Sequence, residues 1–251
     1  MKNLPWILKN STLNFNRIPS YFRDLSRIKK QRKKERDFPI RYFPILSDKF
    51  AEAGVLSGDY FHQDLLVAKK IFSANPVKHV DIGSRVDGFV AHVAVFRKIE
   101  VLDIRELNSS VENISFTKAD LMKLPENMIN YCDSISALHS IEHFGLGRYG
   151  DPIDYNGHLK AIENITQMLK PSGTFYFSVP VGKQRIEFNA HRVFSIPYLW
   201  NILKDNYNLQ SFSYVDSLGS LRENVDIADK SIEADSLMCD YGLAIFELQK
   251  F

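Results

Sequence analysis

The sequence predicts an α/β protein with a doubly wound, mostly parallel sheet, an antiparallel C-terminal edge pair and a basic N-terminal arm. Three observations predict it. Short β-branched runs alternate with helical stretches from Val77 onward, glycine-containing turns join them, and the basic residues gather before residue 40. The 251 residues, 45% hydrophobic and 25% charged, are enough to bury a core without disulfides. Cys132 and Cys239 stand far apart with no His or Cys at ligand spacing, which argues against a disulfide framework or a structural zinc site.

The arm, residues 1–44, comes first. Residues 1–40 hold 11 Lys and Arg against three Asp and Glu, a net +8, leaving 21 against 27, a net −6, for residues 41–251. Arg27, Lys29, Lys30, Arg32, Lys33, Lys34 and Arg36 would surround a helix on every side, which reads as a solvated face. Upstream, Trp6, Ile7, Leu8, Leu13, Phe15, Ile18, Tyr21, Phe22 and Leu25 interleave apolar and aromatic groups with Lys and Arg. Such a segment packs on its own domain, forms a homo-oligomer contact, or lies on an anionic membrane surface, and the residues leave these three open. An acidic body speaks against a nucleic-acid groove. No apolar run reaches the roughly 18–20 residues of a membrane span, and no signal-peptide pattern is present, so the expected setting is cytoplasmic, with the arm as any peripheral link to the inner face of the membrane.

The body, residues 45–251, begins with a helical stretch over 45–75, whose buried face is expected to be Leu65, Leu66, Ala68, Ile71 and Phe72, and Asn75-Pro76 ends it. Strands are expected at Val77–Ile82, Ile99–Ile104, Ile114–Lys118, Asp133–Leu138 and Thr174–Val179. Phe89–Phe96 reads as a helix, and Asn156–Leu169 as another, with Leu159, Ile162, Ile165, Thr166 and Leu169 on one face and Pro171 and Gly173 just beyond its end. Strands separated by helices imply right-handed crossovers and a parallel sheet. Leu209–Val215 and Leu243–Leu248 alternate without a good helix between them, which predicts the antiparallel pair.

The turn Asp81-Ile82-Gly83-Ser84-Arg85-Val86-Asp87-Gly88 follows the first strand, so its backbone can approach a ligand at the carboxyl edge of the sheet. Asp103 closes the second strand about 20 residues on, where a carboxylate can accept from both ribose hydroxyls, and Asp120 follows the third, where an adenine amino group can be read. Each Asp alone is ordinarily a cap or turn residue; together they favour an adenosine ligand. A dinucleotide would want Gly-x-Gly-x-x-Gly, and the second glycine is missing; Asp81, aimed into the turn, would repel a diphosphate and suits a cationic ammonium or sulfonium ligand.

These residues resemble the class I S-adenosylmethionine-dependent methyltransferase family over roughly residues 60–251: Val-Asp-Ile-Gly-Ser…Asp-Gly, Val-Leu-Asp-Ile, Lys-Ala-Asp-Leu, and Leu-Lys-Pro-Ser-Gly-Thr before the fifth strand. The resemblance implies a Rossmann-like fold and S-adenosyl-L-methionine held by Asp81, Gly83, Ser84, Gly88, Asp103, Ile104, Asp120, Leu121 and His139. It adds Gln63 and Asp64, ahead of the first strand, over the methionyl part. The loop departs from the family in having Arg85-Val86 where a further Gly is usual. Ser140-Ile141-Glu142-His143-Phe144 resembles the segment that closes over the cofactor. With Gly-Leu-Gly-Arg-Tyr-Gly-Asp-Pro after it, the run is similar to a bacterial methyltransferase-like group that occurs with surface-polysaccharide genes.

That block starts at the end of the fourth strand, where active-site loops of open α/β sheets sit. His143 is the expected base, with Glu142 to orient it, because an imidazole near its ordinary pKa of about 6.5 can take a hydroxyl proton at neutral pH. Arg148, Tyr149 and Asp151 are expected at the substrate, although a salt bridge from Arg148 to Asp151 or Asp154 explains that arginine equally well. The second cluster, Glu187 to Phe194, brings His191 as a further catalytic candidate and Arg192 as a substrate contact. His139-x-x-Glu142-His143 is not the helical His-Glu-x-x-His zinc pattern, and a divalent ion on Glu142, Asp151 and Asp154 is not favoured. The expected reaction is O-methyl transfer to a small sugar or phosphosugar, for surface polysaccharide. An NAD(P)-dependent oxidoreductase and a non-catalytic cofactor-binding scaffold are the alternatives.

Overall fold

The computed structural model describes residues 15–32, 38–124, 126–227 and 241–251. Trp6, Ile7, Leu8, Leu13, Lys33, Lys34, Arg36 and Cys239 lie outside the described residues. The chain divides into two compact units, Met1–Val55 and Leu56–Phe251.

In the first unit, helix α1 (Ile18–Gln31) starts on Pro19, whose fixed φ suits a first turn. None of its residues is buried. Side-chain ties hold residues 42–49 to it: Arg17 donates to the carbonyls of Leu46 and Ser47, Lys29 to Tyr42, and Lys49 to Asp24.

The second unit is built on an eight-stranded sheet in the order β3-β2-β1-β4-β5-β10-β8-β9. Its strands are β1 (His79–Ile82), β2 (Ile99–Asp103), β3 (Ile114–Lys118), β4 (Cys132–Leu138), β5 (Leu169–Val181), β8 (Tyr207–Val215), β9 (Leu221–Arg222) and β10 (Gly242–Lys250). β1 to β5 run parallel, while β10 lies antiparallel between β5 and β8. The antiparallel end is therefore wider than a single pair, with short β9 as its last edge. A separate hairpin, β6 (Arg185–Glu187) and β7 (His191–Val193), follows β5. Helices α2 (Asp59–Ala74), α3 (Ala91–Ala94), α4 (Gly157–Met168) and α5 (Ile196–Leu203) complete the unit.

The pleat sorts the core into two layers. Phe175, Phe177 and Val179 of β5 join Leu102, Ile162, Ile165 and Leu199 on one face. Tyr176 and the intervening positions Ile99 and Val101 of β2 join Val67, Ile71 and Phe89 on the other. Helices on both faces force the near-continuous apolar strands seen in the sequence.

Four expectations are corrected. The stretch 45–75 is helical only in a short turn at Asp48–Phe50 and in α2, because Gly54 and Gly58 interrupt it; Gly58 has φ +95°. The face of α2 turned inward is Gln63, Asp64, Leu66, Val67, Ala68 and Ile71, while Leu65 and Phe72 are exposed. The helix expected at Phe89–Phe96 is a widened turn at Val86–Val90 followed by the single turn α3. β5 starts five residues early: Leu169 pairs with Cys132 and Thr174 with Ser134, with an irregular loop at Ser172 between them.

Candidate active site

The turn after β1 rests on a closed chain of buried polar groups. Asp81 is fully buried and accepts from the Ser84 N–H (3.0 Å), the Ser84 hydroxyl (2.6 Å) and the Ser136 hydroxyl (2.5 Å). Since the Ser136 proton goes to Asp81, His79 Nε2–H must donate to Ser136 Oγ at 3.1 Å, and Nδ1 accepts from Ser134 at 2.8 Å. Ser84 in turn accepts from the N–H of Leu138 at 3.1 Å, tying the turn to the end of β4. Burial raises the Asp81 carboxyl to about 6 against the pull of those hydrogen bonds, and burial pushes His79 down to about 3. Asp81, expected at the cofactor, is thus below the floor of the site rather than on it. Ser84 shows the open space only alongside a side chain already spent.

Above this floor, at the carboxyl edge of β1, β2 and β4, lies a cleft of about 450 Å³. Gly83, with φ +65°, forms part of its base; a Cβ there would come within 3.3 Å of Ser140 Cβ. Asp103 stands at the end of β2, its carboxylate held by the Arg105 backbone N–H (2.8 Å) and guanidinium, which leaves about one lone-pair site, on Oδ2. A smaller apolar recess adjoins the cleft and is lined by Ile104, Asp120 and Leu121 together with Gly83 and His139. Asp120 there accepts from the N–H of Met122 at 3.0 Å. Gln63, Asp64 and Gly88 do not line either space: Gln63 bonds Asp64 and Ser178, and a Cβ on Gly88 would meet Asp64 Oδ2 at 2.6 Å. Gln63 thus ties α2 to β5 through Ser178, and Asp64 packs closely against Gly88 of the turn.

The facing wall comes from the segment after β4. His139 adopts φ +52° and stacks on Tyr60, ring centroids 4.7 Å apart. Glu142, 1% exposed, takes His139 Nδ1 at 3.0 Å, whereas His143 Nε2 is 3.7 Å away, long for a hydrogen bond. The expected Glu142–His143 orientation is therefore corrected: Glu142 orients His139, and the Ala190 carbonyl orients His143 through Nδ1 at 2.7 Å. Burial disfavours charge on both rings. For His139 the bond to Glu142, with Asp59 and Asp64 nearby, outweighs burial and raises its pKa; for His143 burial prevails and lowers it. A neutral His143 with Nδ1–H on a carbonyl leaves Nε2 as its basic atom.

Arg148 meets neither Asp151 nor Asp154; it donates to Ala190 O at 3.1 Å and lies against Tyr149. Asp154 pairs with Lys160 instead. Asp151 accepts from the N–H groups of Gly145, Gly147 and Tyr149, so it shapes the loop, which needs Gly at 145 and 147 (φ +77° and +75°). Arg192, 3% exposed, is corrected from substrate contact to brace, donating to the carbonyls of Glu142, Phe144 and Tyr155. His191, its neighbour on β7, does line the cleft. Tyr60, Arg105 and Tyr241 line it too and were not among the residues expected there. Tyr60 was legible as the position one turn before Gln63 and Asp64, and Arg105 as the cation two residues after Asp103; Tyr241 carried no local signal.

Within this cleft and its recess, His139 Nε2, Glu142 Oε2, His191 Nε2 and Ser140 Oγ are buried and have no hydrogen-bond partner. Such groups cost about 1–3 kcal/mol each unless something satisfies them. Among the described residues, no group of three or more His, Cys, Asp or Glu is arranged to hold a metal ion.

Residues 78–238 match the family described as Caenorhabditis protein of unknown function, DUF268. The chain belongs to that family. Among curated proteins, none matches. Solved structures supply the fold of this family member. The chain is similar to the (4+2)-cyclase SpnF, with 17% identity, a TM-score of 0.53, and 74% of this chain and 80% of that one covered. It is similar to 1,6-didemethyltoxoflavin-N1-methyltransferase of Burkholderia thailandensis, solved with S-adenosylhomocysteine (15%, 0.52, 74% and 78%). The N-methyltransferase NodS of Bradyrhizobium japonicum WM9, also with S-adenosylhomocysteine, gives 12%, 0.51, 77% and 88%. The fold is the Rossmann-like fold of these methyltransferases, as the sequence predicts.

Proposed function

We propose that the second unit is an S-adenosylmethionine-dependent O-methyltransferase acting on the hydroxyl of a sugar or phosphosugar. One observation carries the reading: a cleft with a glycine turn and Asp103 and Asp120 along one wall and His139, Glu142, His143 and His191 along the other, in which four buried polar atoms lack partners. The two methyltransferases above hold S-adenosylhomocysteine, the product of that cofactor. The residues fit such a group. Gly83 takes a left-handed backbone in which a side chain would be strained and crowded by Ser140, Asp103 has a lone-pair site free for a ribose hydroxyl, and the recess at Ile104, Asp120 and Leu121 suits a flat, largely apolar base. When bound, the cofactor supplies an electrophilic methyl group on a sulfonium.

The chain's own contribution is positioning and proton removal. Nε2 of neutral His143 takes the acceptor hydroxyl proton, and the Glu142 carboxylate 3.7 Å away stabilises the imidazolium that forms. Arg148, which donates to the Ala190 carbonyl through Nη1, has donors left for a phosphate or carboxylate on the acceptor, beside Tyr149. A polar, hydroxylated acceptor is supported by the density of His, Arg and Tyr around the cleft; its place in surface polysaccharide synthesis is supported by resemblance alone. Because the similar folds include a protein named as a cyclase, turnover has to be measured and not inferred from binding.

Calorimetry with S-adenosylhomocysteine, with NAD and NADP titrated in parallel, tests the cofactor. Labelled methyl transfer to a panel of nucleotide-activated sugars tests the reaction. Binding is expected for S-adenosylhomocysteine and not for the dinucleotides, and lost in Asp103→Ala. Binding without transfer to any acceptor would support the scaffold reading, and transfer only to amines, nucleic acid or protein would remove the sugar.

A further inference from the structure

The first unit exposes more large apolar surface than a folded domain leaves in water. In α1, Ile18, Tyr21, Phe22, Leu25 and Ile28 fall at i, i+3, i+4, i+7 and i+10, one stripe of a helix. Phe22 is 60% and Ile28 55% exposed. The stretch tied to α1 adds Phe38, Tyr42 and Ile45, each more than half exposed. Scattered single apolar side chains need no explanation, but five within about 25 residues of sequence call for a partner.

Charge selects the partner. Residues 1–55 hold 13 Lys and Arg against five Asp and Glu, a net +8, while residues 56–251 hold 19 against 25, a net −6. Within α1, Arg23, Arg27, Lys29 and Lys30 flank the apolar stripe, and all four are exposed with long stems able to reach past it. A second copy of so cationic a unit would be repelled, and the helix bears several aliphatic side chains that a nucleic acid would leave wet. An anionic lipid surface matches both properties at once: apolar side chains enter the headgroup boundary while Lys and Arg meet the phosphates. Among the described residues no helix is long and apolar enough to cross a membrane, so the contact is interfacial.

We propose that the first unit is an interfacial membrane anchor, seated by the α1 stripe and the aromatic residues Phe38 and Tyr42 on anionic phospholipid. The test is co-sedimentation of the full chain with vesicles of phosphatidylcholine alone and of phosphatidylcholine with phosphatidylglycerol. The protein should pellet with the anionic vesicles, should not pellet with the neutral ones, and should be released at high salt. The doubly substituted chain Phe22→Asp/Ile28→Asp, changed only at exposed positions and checked to unfold at the wild-type temperature, should partition at least about tenfold more weakly. No pelleting with anionic vesicles, or equal pelleting of wild type and variant, overturns the proposal. So does light scattering that shows a wild-type dimer which the same variant dissociates, or binding to a homopolymeric RNA in place of vesicles.

Discussion

Two groups of buried polar side chains lie next to each other around the turn after β1, and they are satisfied in opposite ways. Below the turn, Ser134, His79, Ser136, Asp81 and Ser84 form a directed chain in which every hydroxyl and ring nitrogen has a partner. Above it, His139, Ser140, Glu142 and His191 each keep one buried polar atom without a hydrogen bond, His191 Nε2 lying 3.4 Å from Glu187 Oε2. Residue type does not distinguish the groups, since both contain His, Ser and a carboxylate. Closure does: the lower chain is satisfied within the protein, whereas the upper group leaves polar atoms open, the feature on which the proposed function rests. The difference makes separable predictions, because breaking the floor should cost stability and breaking the wall should cost turnover.

The largest effect is expected on the wall. His143→Ala should lower methyl transfer by roughly 10²–10⁴-fold while leaving the affinity for S-adenosylhomocysteine and the unfolding midpoint nearly unchanged. Steady-state rates with the identified acceptor, beside calorimetry, check this. Activity that survives His143→Ala and disappears in His191→Ala would move the base to β7.

On the floor, Asp81→Ala strands the Ser84 N–H and two hydroxyls in the interior, at a cost of about 2–4 kcal/mol in urea unfolding. Affinity per folded molecule should remain. Wild-type stability together with lost cofactor binding would show instead that Asp81 touches the ligand, as the sequence by itself suggests.

That contrast also marks how far the sequence can be read. Strand positions, the switch to an antiparallel edge and the three acids after β1, β2 and β3 are legible because a pleated strand buried on both faces demands a run of apolar residues and a turn demands Gly or Asp. What each acid does is not legible. Asp81, Asp103 and Asp120 look alike as letters, yet the first is buried among donors from β4, 55 positions away at Ser136, and the other two border the open cleft. Glu142 likewise stands next to His143 in sequence but bonds His139, which lies ahead of the short helical turn at Ile141–His143 with its backbone in the left-handed region (φ +52°). The brace at Arg192 depended on carbonyls 37 to 50 residues distant, for which no local pattern exists.

Acid stability sharpens the comparison from the floor's side. His79 has its pKa pushed down to about 3, so between pH 6.5 and 3 the unfolded chain takes a proton that the folded one refuses, and stability falls as pH falls. By pH 5 this amounts to on the order of 1–2 kcal/mol. Asp81, raised to about 6, works the other way: between pH 6 and 3.8 the folded chain holds a proton that the unfolded one lacks, and stability rises as pH falls. His79→Gln should therefore flatten the acid limb of a stability-against-pH curve, and Asp81→Asn should steepen it. Parallel curves for wild type and His79→Gln would mean that this histidine is not held neutral by the core.

The smallest stability effect should come from Glu142→Gln, and its smallness is the point. Glu142 is as buried as the floor residues, at 1% exposure, so a closed network would lose as much here as at Asp81. But one of its oxygens already lacks a partner, and the substitution keeps an oxygen for His139 Nδ1 while relieving a buried carboxylate of its desolvation. The unfolding free energy should shift by less than about 1 kcal/mol in either direction. Function should report the change instead. Without the carboxylate's negative charge, His139 loses the attraction that helps to raise its pKa, so its titration followed by NMR should move to lower pH. A stability loss comparable to Asp81→Ala, with His139 titrating as in wild type, would show that the wall is closed architecture like the floor and that the unpartnered atoms do not mark the site.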